Sequence, residues 1–467
     1  MLSANSCIVM KFGGTSVEDA AAIARAAEIV RGRLPARPVV VVSAMAKVTD
    51  QLLAMARAAG AGDRAKALEL SRAARERHHR AASDLLDGTA ASQFRAELES
   101  DFDALDELLR GISAVGELTA RTLDNVASNG ERISSKLVAA ALAAKGLPAV
   151  HVDARECIVT DDQFTKAVPH VGETNQRTAS RLKPLLWPER GEPTVPVMGG
   201  FIACTPDGVT TTIGRGGSDF SAAIIGAALD AERIEIWTDV DGMKTTDPNL
   251  CADAHRIKQI GFEEAAELAY FGAKVLHPST LLPAVQKNIP VLVLNSRNPQ
   301  NEGTRITALA PHSRSVFKAI AAKKRITIVD IVATRMLGAH GFLKAIFDVF
   351  DRHRCAVDVV STSEVSVSLT VDSNEAIPAV AADLQKLGDV KYSGRKAIVC
   401  LVGENIRETP GIAARVFTAI SDINVRMISQ GASEINITFV VDEDDVPQAV
   451  QRLHQEFFKD PDPGVFE

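Results

Sequence analysis

Two short stretches of this 467-residue sequence carry residue types that could do chemistry together. In the first, the β-branched run Thr210-Thr211-Thr212-Ile213 meets Gly214-Arg215-Gly216-Gly217-Ser218-Asp219, and an apolar segment of helical length, Phe220 to Leu229, follows. Glycines allow positive φ and a close approach to a ligand. A helix starting there, capped by Ser218 or Gly217, points free N–H groups and the positive end of its dipole at an anion. Arg215 adds a fork that suits carboxylate or phosphate, and Asp219 an anion for an ammonium group or for holding a lysine. In the second stretch, a strand from Cys7 to Phe12 carries Lys11 and runs into Gly13-Gly14-Thr15-Ser16. From Ser16, with Asp19 as a partial capping box, Ile23, Ala26, Ala27 and Val30 have helical spacing. Lys11 is then placed to reach a phosphate as a point charge. Two glycine turns feeding helices, one with a lysine and one with an Arg/Asp pair, suggest phosphoryl transfer between two bound molecules. The plainer alternative at each turn is a solvated loop.

The elements that must position these groups follow from periodicity. Pro38 to Ala44 is an unbroken β-branched run, as expected of a parallel strand covered on both faces. Ser43 and Thr49 follow at its carboxyl end, where open α/β sheets bind ligands, so their hydroxyls are candidates for substrate contact. Gln51 to Thr122 is rich in Ala, Leu, Glu and Arg and predicts several packing helices, with His78-His79 on a solvated charged face. Ser128 to Ile133 is expected to open another helix with Glu131 in its first turn, where an acid by itself merely complements the dipole. Strands are expected at Ala149 to Asp153, Val195 to Gly199, Thr210 to Ile213 and Arg233 to Asp239. Strands alternating with helices over some three hundred residues make an α/β sandwich with a central, mostly parallel sheet.

Several functions are excluded. Gly214-Arg215-Gly216 with Glu235 further on imitates a dinucleotide fingerprint, but Asp219 stands at the third glycine position and would meet the pyrophosphate, so NAD binding is rejected. No G-x-x-x-x-G-K-[ST] occurs, which rules out a P-loop NTPase. Net charge is -7 with both signs dispersed, implying no nucleic acid and no membrane surface as partner. The six cysteines, without C-x-x-C spacing, suit reduced, buried thiols. No run approaches the ~20 apolar residues of a membrane helix, so a soluble, cytoplasmic protein is expected. No metal cage of protein ligands is visible.

Val9 to Val17, Gly130-Glu131-Arg132, Gly214 to Asp219, Trp237 to Gly242, Thr245 to Pro248 and Phe271 to Pro278 together resemble the aspartate kinases of the amino-acid kinase superfamily, and the likeness spans the chain. The resemblance implies a three-layer αβα kinase domain over residues 1–307. It also implies ATP-dependent phosphorylation of the β-carboxylate of L-aspartate, giving 4-phospho-L-aspartate, the first step towards lysine, threonine and methionine. Lys11 would bridge the transferring phosphoryl oxygens beside Phe12 and the Gly13 and Gly14 amides. Arg215 would hold the α-carboxylate of aspartate, Glu131 and Asp219 its α-ammonium, and Ser43 and Thr49 would lie near the attacking carboxylate, with Gly216, Gly217 and Ser218 completing the pocket. Asp219 would also orient Lys11. Thr238, Asp239, Thr245, Asp247 and Lys274 would form the nucleotide pocket. Lys244 and Asn249 stand where the commoner pattern has tyrosine and arginine. Mg2+ would arrive on the nucleotide phosphates. The alternatives are a glutamate or N-acetylglutamate kinase of the same superfamily, and a catalytically inactive amino-acid sensor.

Past a linker at Ala308 to Ser313 the chain repeats itself. Gly341 to Phe347 is echoed by Gly411 to Phe417, and Glu364 to Asp372 by Glu434 to Asp442, an offset of seventy in both cases (411 minus 341, 434 minus 364). Each copy predicts a small ferredoxin-like α+β module. Both resemble ACT domains, expected at 318–390 and 391–467, which bind amino acids between paired modules. With the long helical insert, which looks like that of the lysine-regulated class, this implies a homodimer or dimer of dimers inhibited by lysine. Met336, Gly341, Phe342, Leu343, Val357, Asp358, Thr362 and Ser363 match the family's effector pocket, Asp358 facing the ammonium and the helix start at Gly341 the carboxylate. In the second copy Arg426 stands in place of Asp358, so the site is expected in the first module only.

Overall fold

The computed structural model describes residues 6–214, 216–271, 281–310, 313–333, 340–431 and 433–467. Arg215, Lys274 and Met336 lie outside the described residues, as does most of the Phe271 to Pro278 motif. The chain forms two compact units, one of residues 1–242 with 275–310 and one of residues 243–274 with 311–467.

The elements follow in the order β1 (Ile8–Phe12), α1 (Ala20–Arg31), β2 (Pro38–Val42), α2 (Val48–Gly60), α3 (Arg64–Leu85), α4 (Gly88–Val115), α5 (Ala120–Ala144), β3 (Ala149–His151), α6 (Val171–Leu186), β4 (Val195–Gly199), β5 (Ile202–Cys204), β6 (Thr210–Thr212), α7 (Gly217–Leu229) and β7 (Arg233–Thr238). Then β8 (Gln259–Gly261) and α8 (Phe262–Tyr270) belong to the second unit, and the first resumes with α9 (Leu282–Gln286), β9 (Val291–Asn295) and β10 (Thr304–Thr307). Its sheet runs β3-β4-β2-β1-β7-β9-β10, parallel from β3 to β9, with β10 antiparallel. Every residue of β1 and β2 is buried, as the valine run predicted. Ile8, Met10 and Phe12 share one core with α1 to α5. Val9, pointing the other way, approaches Gly226 of α7, so helices cover both faces.

Local expectations needed correction at four places. The helix after the first glycine turn starts at Ala20, because Asp19 caps it by accepting from the Ala22 amide at 2.8 Å, while Ser16 bonds instead to the Trp237 carbonyl and to Ser296. Ser128 to Ile133 opens no helix: α5 already begins at Ala120, capped by Thr119, and Glu131 lies well inside it. Gly130 is there because α5 crosses the end of β2 closely, where a Cβ would stand 2.8 Å from that of Ala44. His78 is fully buried against Phe102 and bonded to the Ala74 carbonyl, burial pushing its pKa down to about 4; only His79, paired with Glu99, lies on the charged face. Thr210 to Thr212 leaves the central sheet and pairs with β5 in a separate antiparallel ribbon.

The second unit contains β11 (Phe317–Val332), α10 (Phe342–Arg352), β12 (Val357–Thr362), β13 (Ser366–Asp372), α11 (Ile377–Leu384), β14 (Asp389–Gly403), α12 (Ile412–Ala419), β15 (Met427–Gln430), β16 (Asn436–Asp442) and α13 (Val446–Phe457). All six strands form one antiparallel sheet, β12-β13-β11-β14-β16-β15. The repeated modules are therefore interleaved and do not divide at residue 390. Ile326 to Val332 pairs with β13 and with the first half of β14, whereas Phe317 to Lys323 pairs with the second half of β14. A sixteen-residue strand is long enough to serve both modules, and the fourth strand of the second module precedes the whole of the first. Residues 243–271, expected within the 1–307 domain, fold with this unit: Thr245 Oγ1 lies 2.9 Å from His454 Nε2, and Gln451 donates to the Leu250 carbonyl.

Candidate active site

A cavity of about 590 Å³ opens in the first unit beyond the carboxyl ends of β1 and β2. Lys11, Ser43, Thr49, Glu131, Gly216, Gly217, Ser218 and Asp219 all line it, so the described acceptor-side residues singled out from the sequence converge. Lys11 sits on the central strand between β2 and β7, and its Nζ stands 2.6 Å from Asp219 Oδ1, both side chains nine-tenths buried or nearly so. The second glycine turn is built as expected, with one change at the cap. Gly216, at φ 69°, is the cap itself, α7 begins at Gly217, and Ser218 and Asp219 occupy its first turn, where amides lack helical acceptors. Gly200, following β4, backs onto this turn so closely that a Cβ would fall 2.6 Å from Ser218 Cα.

Glu131 enters from α5 and is 4% exposed, with Oε2 buried and without a hydrogen-bond partner among the described residues. Burial pushes its carboxyl up to about 7, against the opposing pull of the Ala44 amide and Lys11. An acid in that state would welcome an ammonium group.

The donor side is only partly as expected. The Gly13 amide donates to the Trp237 carbonyl at 2.9 Å, so it is not free for a phosphate, and Gly14 alone of the two glycines keeps that possibility. Phe12 is buried and stacked on Trp237. Thr238 ends β7, beside the Lys11 strand, exposed Asp239 follows it, and the Thr238 hydroxyl donates to Asp239. Lys244, Thr245, Asp247 and Asn249 belong to the second unit. There the Thr245 hydroxyl is committed to His454 and the His255 amide and is fully buried, which removes its side chain as a nucleotide contact. Asp247 accepts from the Asn249 amide and side chain. Glu235, the acid of the dinucleotide imitation, is held inside by Arg33, Arg233 and Trp237, with no face left for a ribose.

Among the cavity residues that sequence reasoning missed are Arg57, Asp124, Thr165 and Phe201. Asp124 could have been found, since it precedes Glu131 by seven residues and shares its helix face once α5 is known to start at Ala120. Nothing in the sequence marks Thr165 or Phe201. Among the described residues no three His, Cys, Asp or Glu side chains gather as a metal site, and no helix is long and apolar enough to cross a membrane. All six cysteines are buried and unpaired.

In the second unit the described residues of the expected effector site fall at two places along the sheet. Register puts Val357 level with Val371 and Thr327, and Thr362 level with Val367 and Ile331. Asp358 therefore lies near the start of its strand, while Gly341, Phe342 and Leu343 follow the far end of β11. Thr362 and Ser363 are exposed at that far end. Asp358 already faces an ammonium, that of Lys323 at 2.8 Å, and accepts from the Tyr270 hydroxyl at 2.9 Å; its second oxygen is buried without a partner among the described residues. It borders a cavity of about 960 Å³ with Glu267, Tyr270, Ser433 and Asn436 that contains none of Gly341 to Leu343. Arg426 is exposed and paired with Asp442.

The open, mostly parallel sheet holds a lysine and a helix-start acid in one strand-end cavity, and its class is given by the match of residues 6–295 to the amino acid kinase family, while residues 399–457 match an ACT domain. The chain is 39% identical over 476 residues to chloroplastic aspartokinase 3 of Arabidopsis thaliana, covering 97% of this chain and 81% of that protein. Its structure is similar to that of E. coli aspartokinase III in complex with aspartate and ADP in the R state, with a TM-score of 0.86, 35% identity, and 97% and 100% of the two chains covered. It is also similar to the same enzyme with lysine and aspartate in the T state, with a TM-score of 0.82, 36% identity, and 97% and 99% covered. The chain belongs to the amino acid kinase family and, within it, to the aspartokinases.

Proposed function

We propose that this protein transfers the terminal phosphoryl group of ATP to the β-carboxylate of L-aspartate. The observation that carries the reading is the Lys11–Asp219 pair on the floor of a cavity that also holds Glu131, Ser43 and Thr49. The carboxylate nucleophile is ionised at neutral pH and needs no general base. The difficulty is to bring two anions together, so catalysis rests on positioning and charge neutralisation. Lys11 neutralises the phosphoryl oxygens, the Gly14 amide and the first turn of α7 add N–H dipoles, and Asp219 keeps Lys11 aimed. Glu131 and Asp219 receive the α-ammonium, and Arg215, by its place between Gly214 and Gly216, the α-carboxylate. Thr238 and Asp239 border the nucleotide. Magnesium would come as a companion of the nucleotide phosphates and would supply further charge neutralisation there.

Regulation by lysine through the ACT modules is part of the same proposal. Since Asp358 and the Gly341 helix start lie apart in one chain, a complete site needs a second copy. Leu343 and Phe347 on α10 and Val360 on the edge strand β12 are exposed apolar residues that a second copy would cover. The deciding test is coupled ADP release with purified protein, ATP and magnesium, offering aspartate, glutamate or N-acetylglutamate in turn. Turnover confined to aspartate is expected; turnover with glutamate alone, or none with any, overturns the reading.

A further inference from the structure

We propose that Asp124 is a positioning residue for the acceptor amino acid, clamping the loop at Thr165 to strand β6 and thereby setting the wall of the cavity and the turn that leads into Gly214 to Asp219. The inference rests on the kinase reading above.

Asp124 is 1% exposed and lies two turns before Glu131 on the same face of α5. Its carboxylate takes three hydrogen bonds: Oδ2 accepts from the amides of Thr165 and Thr212, both at 2.9 Å, and Oδ1 from the Thr212 hydroxyl at 2.6 Å. Burial raises the pKa of this group and the three donors draw it back, so the donors are what keep a carboxylate tolerable there.

The backbone it holds is not one the chain would adopt unaided. Thr165 has φ 71°, the left-handed region, where a β-branched side chain persists only if its surroundings impose it. The amide of Ala167 donates to the Thr212 carbonyl at 3.0 Å, so the loop and β6 are tied at two points, one of them Asp124. The Thr165 carbonyl in turn stands 3.5 Å from the Cβ position of Gly214, itself at φ 78°. Asp124, Thr165, Thr212 and Gly214 all line the cavity with Glu131 and Asp219. Releasing the clamp therefore moves the acceptor's side of the cavity, while β1, β7 and the Gly14 turn stay where the sheet keeps them.

The test is steady-state kinetics on full-length Asp124→Asn and Thr212→Val. Asparagine keeps the shape but offers one acceptor oxygen and turns an amino group toward the donors; valine deletes only the hydroxyl bond and is the safer fold. The expected result is a KM for aspartate raised about tenfold in Asp124→Asn and about threefold in Thr212→Val, with the KM for ATP within about twofold of the parent in both. A merely structural role would lower the melting temperature without separating the two KM values. If Asp124→Asn is insoluble, Thr212→Val decides alone. An unchanged aspartate KM in Thr212→Val, or equal shifts for both substrates, overturns the inference, whereas a parent protein without aspartate turnover would overturn the kinase reading instead.

Discussion

The ammonium of Lys11 lies 2.6 Å from the carboxylate of Asp219, and neither group has more than about an eighth of its side chain exposed. One residue comes from the central strand of the sheet and the other from the first turn of α7, so the pair joins the two glycine turns into one site. A surface ion pair would contribute little, but in this cavity the acid fixes where the charge of the lysine points.

Lys11→Ala should lower kcat by about 10²–10³-fold, since it removes a donor that acts on charge developing during transfer. The aspartate KM should change far less. Rapid-quench measurement of 4-phospho-L-aspartate formation separates the two effects, and a kcat within a few-fold of the parent would show the lysine to be misassigned.

Glu131 links activity and stability to pH with opposite signs. Its folded pKa of about 7 lies above the ordinary 4.5, chiefly through burial, so the folded state binds the proton more tightly than the unfolded chain. The contribution of Glu131 to stability in the absence of substrate is therefore greatest below about 4.5 and falls as pH rises towards 7. Glu131→Gln should raise the stability of the ligand-free protein at pH 8 by up to roughly 3 kcal/mol, with the gain vanishing in mild acid. Aspartate binding needs the ionised acid, so the aspartate KM of the parent should fall as pH rises through 7, and that of Glu131→Gln should be high and flat across the same range. Thermal melts and KM profiles from pH 6 to 8.5 check both halves.

Gly200→Ala should disable the second glycine turn from behind. The added methyl would meet Ser218 Cα at 2.6 Å and Cβ at 2.7 Å, contacts that backbone must move to relieve. Overpacking of this kind costs about 1–3 kcal/mol, and the aspartate KM should rise with it. A variant of parental stability and kinetics would mean that α7 can shift freely.

Asp358→Ala should leave uninhibited activity near that of the parent while weakening lysine inhibition about tenfold or more, the size of an ordinary coupling between sites. Lys323 keeps Asp372 as a partner at 3.0 Å, so the unit should remain folded. Arg426→Ala, which breaks only an exposed pair with Asp442, should keep its sensitivity. Calorimetric titration of lysine into each variant measures this directly; undiminished binding to Asp358→Ala would remove the acid from the effector site.

Much of this cavity was legible because two glycine turns that feed helices, with charged residues beside them, bring N–H groups and charge to one spot. Lys11, Glu131 and Asp219 were named from motif and resemblance, and they meet. What failed was local: Glu131 enters the cavity from the middle of a helix, since Gly130 lets α5 approach Ala44, and no spacing rule distinguishes a mid-helix glycine chosen for packing from one that begins a helix. His78 looked solvated among arginines until α4 covered it.

The sequence by itself determined which residues are able to do chemistry, that a buried parallel sheet carries them, and that the carboxyl-terminal third is a repeat, because residue type, period and offset are properties of the chain alone. The tertiary structure decided which of those residues have free atoms left. The Gly13 amide is taken by Trp237, Thr245 by His454 and Asp358 by Lys323, partners distant in sequence. It also decided that the two modules interleave, since β11 and β14 are long enough to pair twice. Hydrogen-bond capacity is finite, and only the folded chain shows where each donor and acceptor has been used.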